Sequence, residues 1–206
     1  MLTGLTLVII DCSLALIALI NPISKIFIVS TLAPKISHLD LKRVIVRSSA
    51  VALIILLSFI FLGNFILTQF FHIEIYSFKI AGGIVLTFRG FEALNKGLFF
   101  EMKYRQKLED ISVVPIASPM IAGPATITAA VSFPSKYGLA VTALSVVIAV
   151  AVNMLIMLLT PLISEGLSRH NIMGALIRIT GLIVATIGVQ MALDGFGEYL
   201  RVTGVI

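Results

Sequence analysis

Two proline-bearing stretches constrain this chain more than any other feature, because each falls where a membrane helix would ordinarily run unbroken. The first is Ile20-Asn21-Pro22-Ile23-Ser24-Lys25-Ile26-Phe27, and the second is Ala117-Ser118-Pro119-Met120-Ile121-Ala122-Gly123-Pro124. Each places a small polar residue before proline. Asn and Ser are favoured helix N-caps, and proline suits the first helical position because the N–H it lacks would be unpaired there. The dipeptide therefore reads as the end of one half-helix and the start of another. In lipid, backbone groups freed by such a break cost several kcal/mol each unless protein or a polar cavity satisfies them. Two related breaks in one small chain are the usual mark of a transporter site.

The lipid setting follows from composition. The chain has 206 residues, 59% hydrophobic and only 12% charged, against roughly 25% charged in soluble domains. An all-α integral membrane protein is expected. The N-terminus reads as a first span and not as a cleavable signal, since the first basic residue is Lys25 and the apolar run continues far past signal length. Cys12 is the only cysteine, which excludes a disulfide framework and a Cys-based metal site. The net charge of +5 is carried largely by loops, as the positive-inside rule expects. No basic, aromatic-interleaved stretch suggests a nucleic-acid partner.

Six apolar segments are expected, at 4–33, 48–71, 78–95, 111–133, 138–162 and 174–195, each near the ~20 residues a spanning helix needs. The first and fourth hold the breaks. The basic loops, with Lys35, Lys42, Arg43 and Arg47, with Lys96, Lys103, Arg105 and Lys107, and with Arg169 near Arg178, belong in the cytoplasm, which puts both termini outside. Phe78–Leu94 and Ile177–Leu193 align without gaps: Gly82 meets Gly181, Val85 meets Val184 and Thr87 meets Thr186. The Asn-Pro and Ser-Pro motifs stand at nearly the same offset. Residues 1–97 and 111–206 thus read as two three-span repeats joined by a linker at 98–110. An odd number of spans makes the repeats inverted, with their two-fold axis in the membrane plane and the breaks converging near the midplane.

At the first break, Asn21, Pro22 and Ser24 are candidate binding residues, through helix N–H groups, a cap and a hydroxyl. At the second, Ser118, Pro119, Ala122, Gly123 and Thr126 are candidates, and a substrate carboxylate could rest on their N–H groups. A plain proline kink and close packing by small residues are the structural alternatives. Asp11 and Lys25 are candidates for a coupling role; an interfacial carboxylate and a snorkelling lysine are the alternatives. Arg89 and Glu92, three apart, read as a pair, Asn153, Gln190 and Asp194 as interhelical or interfacial hydrogen-bonding residues, and the glycines of the third and sixth segments as packing residues. His38, His72 and His170 form no metal-spaced pair. No catalytic set, metal site or cofactor motif is present, so no enzyme is expected.

The order Asn-Pro-x-Ser-x-x-Phe in the first span, Gly-Gly in the third and Ser-Pro-x-x-Ala-Gly-Pro in the fourth resembles the MarC family of multi-spanning membrane proteins across essentially the whole chain. It departs from that family at Ser24, where Gly is common, and at Phe27, where Pro is common. The resemblance implies an inner-membrane protein and a carrier of small neutral amino acids such as glycine or alanine. The expected function is a secondary transporter of a small zwitterion, driven by H⁺ or Na⁺. The alternatives are a channel or exporter for another small solute and a non-transporting scaffold or regulator. Homo-oligomerisation is left open.

Overall fold

A computed structural model describes residues 2–33, 36–96, 121–168 and 172–205. Helix α1 (Leu2–Ile20) stops at Asn21, and α2 (Pro22–Leu32) starts immediately after it. Helix α3 (His38–Phe65) runs on into a wider π turn at Ile66–Phe70. Then come α4 (Ile75–Lys96), α5 (Pro124–Tyr137), α6 (Leu139–Ser168) and α7 (Ile172–Val202). The linker expected at 98–110, with Ser118 and Pro119, lies outside the described residues.

Helix α3 begins well before the apolar run. Ser37 caps it, its Oγ accepting from the Asp40 N–H at 3.1 Å and donating to Asp40 Oδ2 at 2.7 Å. That reciprocal cap overrides the polar composition. Lys42, Arg43 and Arg47 therefore sit on the first turns of a helix and not in a loop as expected. Arg178 lies on α7, within the sixth segment as expected.

Among the described residues, three helices are long and apolar enough to cross a bilayer: His38–Phe70, Leu139–Leu162 and Gly174–Val202. In the first segment the break separates the 19 residues of α1, apolar over Gly4–Ile20, from the 11 of α2. Helix α4 is charged along its length by Lys79, Arg89, Glu92 and Lys96.

The core is apolar and built from Leu16 and Ile20 of α1, Ile45 and Leu56 of α3, Ala129 of α5 and Val146 and Met157 of α6. The outside is apolar too. Ile54 and Leu162 are 66% and 81% exposed, the inverse of a water-facing surface, where exposed apolar patches stay small. Cys12 is buried as a small apolar residue.

Helices α4 and α7 pack against each other along their lengths. A Cβ on Gly83 would lie 2.5 Å from the Gly188 carbonyl oxygen, and one on Gly90 would lie 2.4 Å from the Ala185 nitrogen. At the far end Gly195 approaches Tyr76 and Ile80. Low numbers on one helix meet high numbers on the other, so the pair is antiparallel. Backbones this close require the missing side chains.

Candidate functional site

Asn21 does two jobs. Its φ/ψ of 55°/74° is left-handed, the conformation that commonly ends a helix and that Asn tolerates better than other side chains bar glycine. Its N–H closes α1 on the Ile17 carbonyl at 2.9 Å. Its side-chain Oδ1 accepts from the Ser24 N–H at 3.4 Å, and its carbonyl accepts from Ser24 Oγ at 2.8 Å. One residue thus terminates α1 and caps α2. The Ser24 N–H is shared with the Asn21 carbonyl at 3.2 Å, and the amide oxygen is the side-chain atom turned toward it. The amide nitrogen, Nδ2, is buried and has no hydrogen-bond partner among the described residues, in a residue only 7% exposed.

The second break solves the same problem with different groups. Gly123 precedes Pro124, the first residue of α5. Thr126 Oγ1 accepts from the Gly123 N–H at 3.0 Å and donates to the Ile121 carbonyl at 2.7 Å. One hydroxyl holds both strands of the break, so Thr126 is a positioning residue. Gly123, like Asn21, stands before a proline that opens a helix, but its backbone is extended (φ −82°, ψ 171°) where that of Asn21 is left-handed.

Both breaks open on one cavity of about 120 Å³. It is lined by Leu19, Ile20, Asn21, Ser24 and Lys25 from the first, Gly123, Pro124, Ala125 and Thr126 from the second, Val85, Leu86 and Arg89 from α4, and Val184 from α7. Drug-sized pockets start near 300 Å³, so the space suits a small solute. Two helix N-termini with proline at the first position face it, each with positive dipole character. No carboxylate is among its described lining residues.

Of the candidates, Asn21, Ser24, Lys25, Gly123 and Thr126 line this cavity. Pro22 and Ala122 are buried beside it without lining it. Lys25 does not snorkel: it is 3% exposed and its Nζ donates to the Ile20 carbonyl. Asp11 is elsewhere, exposed and accepting from the Tyr137 hydroxyl at 2.8 Å. Arg89 and Glu92 pair at 2.9 Å, and Arg89 also reaches the cavity wall. Of the residues expected to form interhelical or interfacial hydrogen bonds, Gln190 donates to Asp194 at 2.8 Å one turn on, and Asn153 Nδ2 contacts Met157 Sδ at 3.4 Å on its own helix. In each pair the residue four positions on lies on the same helix face, so the local partner is the nearer one.

Sequence reasoning missed the walls Leu19, Val85, Leu86 and Val184. A signal for two of them was present, since Val85 and Val184 are matched positions of the internal repeat. A second cavity of about 210 Å³ lies toward the Tyr137 end, lined by Lys79, Lys136, Tyr137, Gln190 and Asp194 among others. Leu19 lines both cavities.

Comparison with known proteins agrees with this membrane architecture. The chain matches the model of a family described as MarC family integral membrane protein over residues 6–200. It is 35% identical over 189 residues to a UPF0056 membrane protein of Pyrococcus horikoshii, covering 92% of this chain and 93% of the relative. It is 33% identical to a UPF0056 membrane protein of Buchnera aphidicola subsp. Acyrthosiphon pisum, covering 89% of each chain. A third relative, from Methanocaldococcus jannaschii, is 30% identical over 88% of this chain and 92% of its own length. No solved structure matches the chain. With one family match running from α1 through both helix breaks to the last turns of α7, and relatives aligned over nearly their whole lengths, the chain belongs to the MarC family of integral membrane proteins.

Proposed function

We propose that the protein is a secondary transporter of small neutral amino acids, glycine- or alanine-like, in the inner membrane. It works with six spans in two inverted repeats, basic loops in the cytoplasm and both termini outside. One observation carries the reading: the N-terminal ends of α2 and α5 stand at one small cavity, with Asn21, whose Nδ2 is buried and has no hydrogen-bond partner among the described residues, in its wall. A buried donor without a partner is costly, and a solute carboxylate would supply the acceptor. The antiparallel contact of α4 and α7, with matched Val85 and Val184 both at the cavity, supports the inverted repeat. Coupling to H⁺ or Na⁺ is part of the proposal. Ser118 and Pro119, at the entry to the second break, are included as contributors to binding.

The test is uptake of labelled alanine and glycine into proteoliposomes under Na⁺ and proton gradients. Saturable uptake with counterflow is expected. Folded protein that takes up neither solute under either gradient would overturn the proposal. One observation favours the alternative of an exporter for another solute: the cavity wall carries Lys25 and Arg89 and no described carboxylate, which suits a small anion. Thermal-shift titration with alanine against propionate separates the two, since the bound ligand raises apparent stability.

A further inference from the structure

Lys25 is the only charged side chain among the described residues that is less than one-tenth exposed. It is also part of the cavity wall. Its partner is the Ile20 carbonyl, five residues back across the break. Ile20 ends α1, so this carbonyl is one of the four that the helix cannot pair, and it stands at the negative end of the helix dipole. The second break shows that a neutral group suffices for hydrogen bonding alone. There the equivalent i to i−5 reach, from Thr126 to the Ile121 carbonyl, is made by a hydroxyl at 2.7 Å. The first break uses a full positive charge for the same reach, in a cavity whose other described cation, Arg89, is paired with Glu92. Desolvating an ammonium is expensive, so hydrogen bonding does not explain its choice.

In carriers built from interrupted helices, freed carbonyls and half-helix C-terminal ends hold the driving Na⁺ or H⁺. We propose that the Lys25 ammonium is a tethered cation occupying the carbonyl site at the end of α1, where a driving Na⁺ would otherwise bind, so that this chain does not use Na⁺. Of the two coupling ions named above, Na⁺ is thereby removed. The consequence for flux rests on the transporter reading, whereas occupancy of the site does not.

The experiment measures thermal unfolding of the purified, solute-free protein in NaCl, LiCl, KCl and choline chloride at equal ionic strength. The wild type is expected to melt at one temperature in all four. Lys25→Ala is expected to melt lower in choline and to regain about 5 °C or more in saturating Na⁺ or Li⁺, because a cation that binds only the folded form stabilises by mass action. Lys25→Met keeps the stem without the charge and is expected to respond in the same direction. Lys25→Arg keeps the charge and is expected to be indifferent to Na⁺. A wild type raised by Na⁺ over choline overturns the proposal with no variant needed. So do folded Lys25→Ala and Lys25→Met proteins that respond to no small cation, and so does a Lys25→Arg protein that responds as they do. Because no solute is present, failure here is distinct from failure of the uptake assay.

Discussion

Replacing Asn21 separates the backbone of the first break from its chemistry. In Asn21→Ala the left-handed residue acquires an ordinary side chain, at a cost of about 1–2 kcal/mol. The same change removes the oxygen that accepts the Ser24 N–H, and losing such a cap costs typically ~1 kcal/mol. The two effects act on different groups of one residue and together come to about 2–3 kcal/mol. For a chain of this size that lowers the melting temperature by roughly 5–10 °C. In Asn21→Gly the backbone is free to adopt φ 55° and glycine is itself an acceptable cap, so the loss is a few tenths of a kcal/mol. Asn21→Asp keeps an acceptor for Ser24 and tolerates the left-handed region, but it puts a carboxylate where the unpartnered amide nitrogen lies. The assay is thermal unfolding of the three variants in the same detergent, followed by titration with alanine. The expected order of stability is wild type, Gly, then Ala. Binding of the solute is expected to weaken ~10–100-fold in Asn21→Gly, the worth of a hydrogen bond to a charged group, and to vanish in Asn21→Asp. Equal melting temperatures for Ala and Gly would refute the left-handed hinge. A Gly variant that binds alanine as well as wild type would refute the role given to Nδ2.

Three other perturbations probe the scaffold. Thr126→Val orphans both the Gly123 N–H and the Ile121 carbonyl and is expected to cost about 2–4 kcal/mol in denaturant or thermal melts, whereas Thr126→Ser keeps the hydroxyl and is expected to stay near wild type. Gly83→Ala places a methyl 2.5 Å from the Gly188 carbonyl oxygen and is expected to destabilise by about 1–3 kcal/mol through forced separation of α4 and α7; Gly197→Ala, with nothing within 4 Å, is expected to be neutral or stabilising by up to ~1 kcal/mol. Lys79 and Glu198 pair at 2.6 Å with side chains 18% and 42% exposed, so a double-mutant cycle with Lys79→Met and Glu198→Gln is expected to return less than ~1 kcal/mol of coupling; a larger value would show the pair to be shielded from water.

What the sequence by itself determined is local or compositional. An apolar, charge-poor chain with two proline-bearing interruptions has to be helical in lipid, because no other open structure pairs its backbone there. One helix start was legible as well, since capping acts within about three residues: Asn21-Pro22 opens α2 as its chemistry requires, whereas the second start was read at Ser118-Pro119, outside the described residues, and α5 begins at Pro124. Where polar composition was read as loop, at Lys42 to Arg47, the Ser37–Asp40 cap extended the helix instead. The glycines of the third and sixth segments were recognisable as packing positions, but nothing in the chain stated that Gly83 would meet Gly188. Only the tertiary structure decided that, and with it which residues share the cavity. Leu19, Val85, Pro124 and Val184 stand at four distant points in the sequence and become neighbours because α4 and α7 can close to backbone contact, which carries their valines up against the two breaks. The burial of Lys25 was likewise undecidable locally. A flexible stem can carry its ammonium to an interface as readily as inward, and here it turns inward to the Ile20 carbonyl, one of those at the end of α1 that the break at Asn21 freed.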